Sequence, residues 1–425
     1  MLLKYLSELT DSEKEKLLNR ETEIQEIINS VSSILQDIKE NGDSAIIKYT
    51  KKFDNVELST SRLEVTEEEI AKAYDEVDSE LMVALEIAAS NIIEFHNLQL
   101  GTNLWFKELN GIILGQKITP LDKIGVYVPG GKATYPSSAL MTIIPAKVAG
   151  VKEVIMCTPP QRDGSINPVT LCAADIAGVD RIFKVGGVQA IGALAYGTET
   201  IPKVQKIVGP GNVFVTAAKM TVPVEIDFPA GPSEVLILAD ETAYPQFIAM
   251  DMIAQSEHDP NAISVLITTS KELAKKVEIE INKQTKDAKR YDIIKKSIDS
   301  NGAILVANSI AEGINFSNEF APEHLEIIVQ NPLEVLNGIK NAGSIFIGNY
   351  APVSAGDYAS GTNHVLPTAS ASKIYSGLNM DHFVKKSTIQ IIDKNGLDNI
   401  KDTIIKIAEA EGLEAHADAV RVRFK

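Results

Sequence analysis

From Lys123 onward the chain alternates short apolar runs that end in glycine or proline with stretches whose apolar residues recur at helical spacing. The runs KIGVYVPGG, EVIMCTPP, RIFKVGG and KIVGPG are separated by SSALMTIIPAKVAG, NPVTLCAADIAGV and VQAIGALAYG, and NVFVTAAKM follows them. A short, wholly apolar run has no wet face, so as a strand it must be covered on both sides. Strands of that kind belong to parallel sheets, whose crossover helices supply the cover. A second series comes next: VLILAD, a helix over 245–257, AISVLITTS, a helix over 271–285, GAILVANS, a helix over 309–319, LEIIVQ, a helix over 332–341, and SIFIG. No strict internal repeat relates the two series. The pattern predicts an α/β fold with two parallel-sheet lobes.

The rest of the chain is different in texture. Residues 1–95 read as charged and helical, with Ser or Thr before acidic first turns and Gly42 as a helix stop. At 425 residues the chain is long for one core. We expect an N-terminal helical segment at 1–23, a first lobe built from 24–122 and 237–378, a second lobe inserted at 123–236, and a C-terminal helical tail at 379–425 with its main helix over 397–424. After Gly348 comes NYAPVSAGDYASGTNHVLPTAS, a long Gly/Ser/Pro-rich stretch. Loops of that length are usually functional or disordered, and the apolar and aromatic residues in this one favour function.

The net charge of −16 speaks against a nucleic-acid partner, which needs a basic face. It does not exclude a small anion such as a dinucleotide, because local backbone dipoles can outweigh net charge. No apolar stretch approaches the roughly 20 residues that span a bilayer, and the first residues are too charged for a signal peptide. Cys157 and Cys172 both lie in apolar runs, as buried thiols of a reducing compartment do. The expected location is cytoplasmic. With no cysteine pair at metal spacing, any metal must be held by His, Asp, Glu or an amide oxygen.

Five of the six histidines fall after residue 257, in polar settings; His96 stands alone in a helix and reads as structural. Gln255 and His258 are three apart at a helix end, so both can face one ion, although an ordinary polar helix end gives the same pattern. Asp357, in GDYASG, can add a carboxylate and His416 a second imidazole. Glu411 and His416 are about 140° apart on an ideal helix, and Gly412 between them can break the helix so that both face one site. Glu323 and His324 are adjacent after Pro322. In an extended strand their side chains diverge, whereas at a turn both reach one substrate. Such a pair offers a base near neutral pH and a carboxylate to activate water. The glycine clusters VPGG (128–131), KVGGVQ (184–189) and VGPGN (208–212) close strands where backbone amides can approach phosphate, or where tight turns simply need glycine.

Together these runs resemble the histidinol dehydrogenase family. The stretches that carry the resemblance are YVPGGKATYPSSALMTIIPAKVAGVKEVIMCTPP, KVGGVQAIGALAYGTETIPKVQKIVGPGNVFVTAAK, AGPSEVLILAD, AQSEHDPNA, FAPEHLEI, GDYASGTNHVLPT and EGLEAHADAVRVR, in order, from about residue 40 to the C-terminus. The segment KMTVPVEIDFPAGPSE is slightly short against the family pattern. The resemblance implies two incomplete Rossmann-like lobes with parallel sheets, plus small terminal segments that intertwine in a homodimer. It implies one zinc ion per subunit, held by Gln255, His258 and Asp357 of one chain and by His416 of the other. Glu323 and His324 become the catalytic pair. Ser233, Glu411 and His364 join the zinc ligands and His324 around the substrate, and Tyr127, Gln189 and Asn212 line the NAD site. The implied reaction is the four-electron oxidation of L-histidinol to L-histidine through bound L-histidinal, with two NAD, at the end of histidine biosynthesis. A zinc hydrolase would use the same residue types, but leaves the paired α/β series unexplained. A non-catalytic imidazole-binding protein would have no need of Glu323 and His324.

Overall fold

The computed structural model describes residues 1–20, 25–130, 134–229 and 231–425. They form two compact units, one made of Met1–Gln99 and Asp122–His382, the other of Leu100–Leu121 and Phe383–Lys425.

The first unit contains two parallel sheets. The larger has six strands in the order Leu2–Tyr5, Ala303–Val306, Ile263–Thr268, Glu234–Ala239, His324–Ile328, Ser344–Ile347. Its central strands VLILA, SVLIT and AILV are fully buried, as the continuous apolar runs require. Alternate residues serve opposite layers. Val235, Ile237 and Ile304 pack with Ile248 and Met252 on one face, and Leu236, Leu238 and Leu305 with Phe316 and Phe320 on the other. The smaller sheet has five strands in the order Arg181–Lys184, Glu153–Thr158, Lys123–Tyr127, Lys206–Val208, Glu225–Ile226. Every strand of both series is where the apolar runs put it, and both sheets are parallel throughout.

Three expectations need correction. The first residues, expected to be helical, make an edge strand paired parallel with Ala303–Val306. LLKY is too short to show a period, and its partner lies three hundred residues away. The helices of the 24–122 region, expected with the six-stranded sheet, pack on the five-stranded one. Val31, Leu35 and Ile46 share a core with Ile155, Phe183, Ile191 and Val215, and Val65 N–H donates to the Ile182 carbonyl at 2.9 Å. An apolar stripe shows that a helix has a buried face, not which sheet buries it. The boundary expected at 23/24 lies outside the described residues. Gly42 sits at φ +51° and divides Gln25–Asp54 into two helical stretches.

The second unit holds the third correction. The 379–425 tail, expected to be helical, begins with a strand, Val384–Ile392, paired antiparallel with Ile112–Pro120, which pairs in turn with Leu104–Leu109. Helices Lys394–Ala410 and Glu414–Arg421 follow. No helix among the described residues is long and apolar enough to cross a membrane. Cys157 and Cys172 are buried free thiols, as expected.

One buried pair in the larger sheet titrates in a direction that can be measured. Glu326, on the same face of its strand as His324, meets Asp251 from helix Pro245–Ser256. Burial pushes Asp251 up to about 7. Burial and the Asp251 charge push Glu326 well above the usual carboxylate range. Folded protein therefore binds these protons more tightly than unfolded protein. The contribution to stability is complete below about pH 4 and is lost as the pH rises through 7. Glu326→Gln, which imitates the protonated form, should stabilise the fold at pH 8 by about 1–2 kcal/mol and give no gain near pH 4, read as denaturant midpoints at the two pH values.

Candidate active site

Helix Ile310–Phe320 ends on Ala321, which takes a left-handed conformation at φ +52°. That turn swings the chain through Pro322 into the strand His324–Ile328, so Glu323 lies just before the strand and His324 opens it. At this corner the two side chains converge. The Glu234 N–H donates to Glu323 Oε2 at 2.7 Å, and His324 Nδ1 donates to the Glu234 carbonyl at 3.0 Å. Glu323 Oε2 and His324 Nδ1 are 3.5 Å apart. Both residues are buried. Burial raises Glu323 to about 7, against the pull of His324. Burial works against charge on His324, but Glu323, Asp357 and the Glu234 carbonyl outweigh it and raise the imidazole to about 9.

With Nδ1 committed to a carbonyl, Nε2 is the free end of the ring. It is buried without a hydrogen-bond partner, and Asp357 Oδ1 stands 3.7 Å away. Asp357 comes from a short helix, Val353–Tyr358, inside the stretch expected to be a functional loop. Burial would raise its carboxyl, but His324, His364 and His258 hold it below its ordinary value. His364 Nδ1 donates to the Asp357 carbonyl at 2.9 Å, and its Nε2 is 3.5 Å from Ser138 Oγ. Burial lowers the His364 imidazole, with Asp357 opposing.

Gln255 and His258 occupy the last turn of helix Pro245–Ser256 and the residues just after it, joined by His258 N–H to the Gln255 carbonyl at 3.3 Å. His258 is exposed at the mouth of the cluster, yet the surrounding protein still depresses its imidazole while Asp357 acts the other way. The Gln255 side chain is buried and its amide nitrogen has no partner. An amide flipped about its last bond puts oxygen at that point, where a cation would satisfy it. Among the described residues no three His, Cys, Asp or Glu side chains converge on a metal position. His258, Asp357 and Gln255 offer one imidazole, one carboxylate and one amide, donor types that suit zinc or a similar divalent ion. Ser233 lies immediately before Glu234. Glu411 and His416 belong to the other unit, both exposed, with Gly412 at φ +73° separating their helices.

The other residues fall on the five-stranded sheet. Its strand order turns back between Lys123–Tyr127 and Lys206–Val208. In open α/β sheets that reversal opens a crevice at the carboxyl ends of the strands. Tyr127 ends one of these strands, and its hydroxyl accepts from Gly187 N–H at 3.1 Å, at the first residue of helix Gly187–Tyr196. Gln189 is in the same turn, its Oε1 buried without a partner and its Nε2 3.4 Å from Asp54 Oδ2. Asn212 is exposed and caps helix Val213–Thr221, accepting from Phe214 and Val215 N–H at 3.0 and 3.1 Å. Both helices begin at the carboxyl edge of the sheet, where positive helix ends favour an anion. Of the three glycine clusters, Gly131 lies outside the described residues.

Three residues of the site were not foreseen. Glu234 carries both members of the Glu–His pair, Arg20 pairs with Glu234, and Ser138 faces His364. Only Glu234 left a trace in the sequence: a charge at the head of a run, EVLILA, that is otherwise wholly apolar.

Two parallel sheets covered by helices, with a buried acid–imidazole pair at the edge of one, make this an α/β protein with the groups of a proton-transfer site. Residues 17–424 match the family model described as histidinol dehydrogenase, and the chain belongs to that family. It is 58% identical over 427 residues to histidinol dehydrogenase of Methanosarcina mazei, covering 100% of this chain and 98% of that one. Against histidinol dehydrogenase of Methanocaldococcus jannaschii it is 55% identical over 432 residues, covering 100% and 99%. The crystal structure of histidinol dehydrogenase from Elizabethkingia anophelis superposes with a TM-score of 0.94 at 42% identity, covering 100% of this chain and 98% of that chain.

Gly209 tests the crevice geometry. It sits at φ +117°, and a Cβ there would lie 2.2 Å from the Tyr127 carbonyl oxygen. Gly348 is also left-handed, at φ +95°, but has nothing within 4 Å of a Cβ. Gly348→Ala should cost about 1 kcal/mol of backbone strain. Gly209→Ala should cost about 3 kcal/mol or more, since backbone must also move. Urea unfolding of the two variants side by side reads the difference.

Proposed function

We propose that the chain carries out the zinc-dependent, four-electron oxidation of L-histidinol to L-histidine, through bound L-histidinal and with two NAD as acceptors, as the last steps of histidine biosynthesis in the cytoplasm. The observation that carries this reading is the buried Glu323–His324 pair held on the main chain of Glu234, with Nε2 of His324 free. In the first step the neutral fraction of His324, with Nδ1–H on the Glu234 carbonyl, takes the alcohol proton at Nε2 while hydride leaves the carbon for NAD. In the second, Glu323 removes a proton from water as it adds to the aldehyde, and the hydrate gives hydride to a second NAD. The sum is one alcohol, two NAD and one water to one carboxylate, two NADH and three protons. A carboxyl near 7 is suited to activating water at neutral pH.

Gln255, His258 and Asp357 would hold zinc, with His416 of a second subunit as the fourth protein ligand. When bound, the ion supplies a Lewis-acidic anchor for the imidazole and amine of the substrate and offsets the pull of Asp357 on His324. Ser233, His364 and the second subunit's copy of Glu411 would complete the substrate pocket in a homodimer. The 123–236 lobe would carry NAD along Tyr127, Gln189 and Asn212, where the positive helix ends would favour its phosphates.

Purified protein given histidinol and NAD should form two NADH per histidinol. Binding of histidinol without NADH formation would leave the family scaffold with another function. Glu323→Gln should slow oxidation of histidinal more than that of histidinol, because only the second step needs water. Equal loss in both half-reactions argues against separate roles, allowing some sharing between neighbours.

The composite site has its own test. His258→Ala and His416→Ala each damage both sites of a homodimer. In a heterodimer one site collects both lesions and the other none. Random pairing makes about half the dimers mixed, each with one intact site, so about a quarter of wild-type activity should return on co-expression. Mixed dimers as inactive as either parent would place His416 in its own chain's site.

A further inference from the structure

Glu234 and Arg20 lie directly behind the reacting pair. Glu234 is fully buried at the head of its strand. Its N–H and its carbonyl hold Glu323 and His324 respectively. Its carboxylate faces the other way, accepting from Ala369 N–H at 3.0 Å through Oε1 and standing 2.8 Å from Arg20 Nη1 through Oε2. The Arg20 side chain is 2% exposed. Its Nη2 donates to Ser370 Oγ at 2.7 Å and to the carbonyl of Phe320, and its guanidinium lies over the Phe320 ring, 3.6 Å from the centroid. Phe320 is the last residue of the helix that leads through Ala321 and Pro322 to Glu323. One guanidinium therefore touches both chain segments that deliver the pair: the entrance to the Glu234–Ala239 strand and the entrance to the His324–Ile328 strand.

We propose that Arg20 and Glu234 are positioning residues for the oxidation, fixing the two strand entrances so that the Glu323 carboxylate and the His324 imidazole share the main chain of one residue. This rests on the reading of Glu323 and His324 as the groups that react. A buried ion pair is poor value as a source of stability, because stripping water from two charges cancels most of their attraction, and apolar groups of the same size do as well. The guanidinium does something apolar groups cannot, which is to tie the Phe320 carbonyl, by a hydrogen bond, and the Glu234 carboxylate, by an ion pair, to one planar group. Rotation of the Glu234 backbone would lengthen one of its two bonds to the pair, and a displacement near 1 Å at reacting groups costs roughly a hundredfold in rate.

The test is steady-state kinetics of the full-length enzyme with histidinol and NAD, alongside thermal unfolding, for Arg20→Lys, Glu234→Gln and the double variant Arg20→Gln/Glu234→Gln. Arg20→Lys keeps the charge and loses the fork. Its kcat should fall roughly tenfold with KM for histidinol within about threefold of wild type. Glu234→Gln leaves Arg20 buried without its counter-charge and should lower both kcat and the unfolding midpoint. The double variant removes both charges. Its midpoint should return toward wild type while kcat stays roughly ten- to a hundredfold down. Recovery of kcat together with the midpoint, or wild-type kcat in folded Arg20→Lys, would overturn the proposal and leave the pair a purely structural one. A wild-type protein that does not oxidise histidinol would instead overturn the function proposed for the site.

Discussion

A carboxyl and an imidazole buried side by side must each be satisfied by something that does not move, and in this chain that thing is the main chain of Glu234. Its N–H and carbonyl are available because Glu234 stands at the amino end of its strand, opposite the equally early His324–Ile328 strand. There the ladder has just begun, and both groups can serve side chains. One residue further in, they would be consumed by strand pairing. The location of the pair thus follows from where two neighbouring parallel strands start. The same corner needs Ala321 in a left-handed conformation, a strain of order 1 kcal/mol or more for a residue with a Cβ. The packed helix before it and the strand after it leave the chain no other route.

Much of the fold was legible in the sequence because its central strands are buried on both faces. EVIMCT, VLILA and SVLIT announce themselves without reference to any partner. What escaped were elements whose identity depends on a distant partner. The edge strand Leu2–Tyr5 is half-buried and pairs with residues 303–306. Val384–Ile392 is mostly exposed, with two lysines and no apolar run until its end, and it becomes a strand by pairing with Ile112–Pro120. The helices of Gln25–Leu98 were visible as helices, but the choice between two apolar sheets as their support leaves no local mark.

The candidate site divides along the same line. Glu323 and His324 were recognisable as a pair because a proline precedes them, and a turn there brings adjacent side chains to one place. Gln255 and His258 were recognisable from helical spacing. Arg20 was not, and could not be from pattern alone. It is an arginine in the charged segment LLNRETE, and nothing nearby indicates that it lies buried against residues 234, 320 and 370. Residues that react tend to come with local chemistry around them. Residues that hold them in place are defined by the tertiary structure, and a single sequence hides them.

The two sheets also sort charge by the direction of their helices. In a parallel sheet each strand is followed by a helix that runs back, so helix amino ends gather at the strands' carboxyl edge and helix carboxyl ends at the opposite edge. Carboxyl ends carry partial negative charge and amino ends partial positive charge. In the six-stranded sheet the Glu323–His324 pair sits at the amino edge, and helix Pro245–Ser256 returns its carboxyl end there, bearing Gln255 with His258 just beyond; Asp357 lies 3.7 Å from His324. That edge favours a cation. In the five-stranded sheet Tyr127, Gly187 and Asn212 lie at the carboxyl edge, where helices Gly187–Tyr196 and Val213–Thr221 begin. That edge favours an anion. Opposite edges of two similar sheets thus present a cation-favouring field and an anion-favouring field from backbone direction alone. The acidic balance of the whole chain then matters little at either edge, because each field is set within a helical turn of the helix end and falls off beyond it.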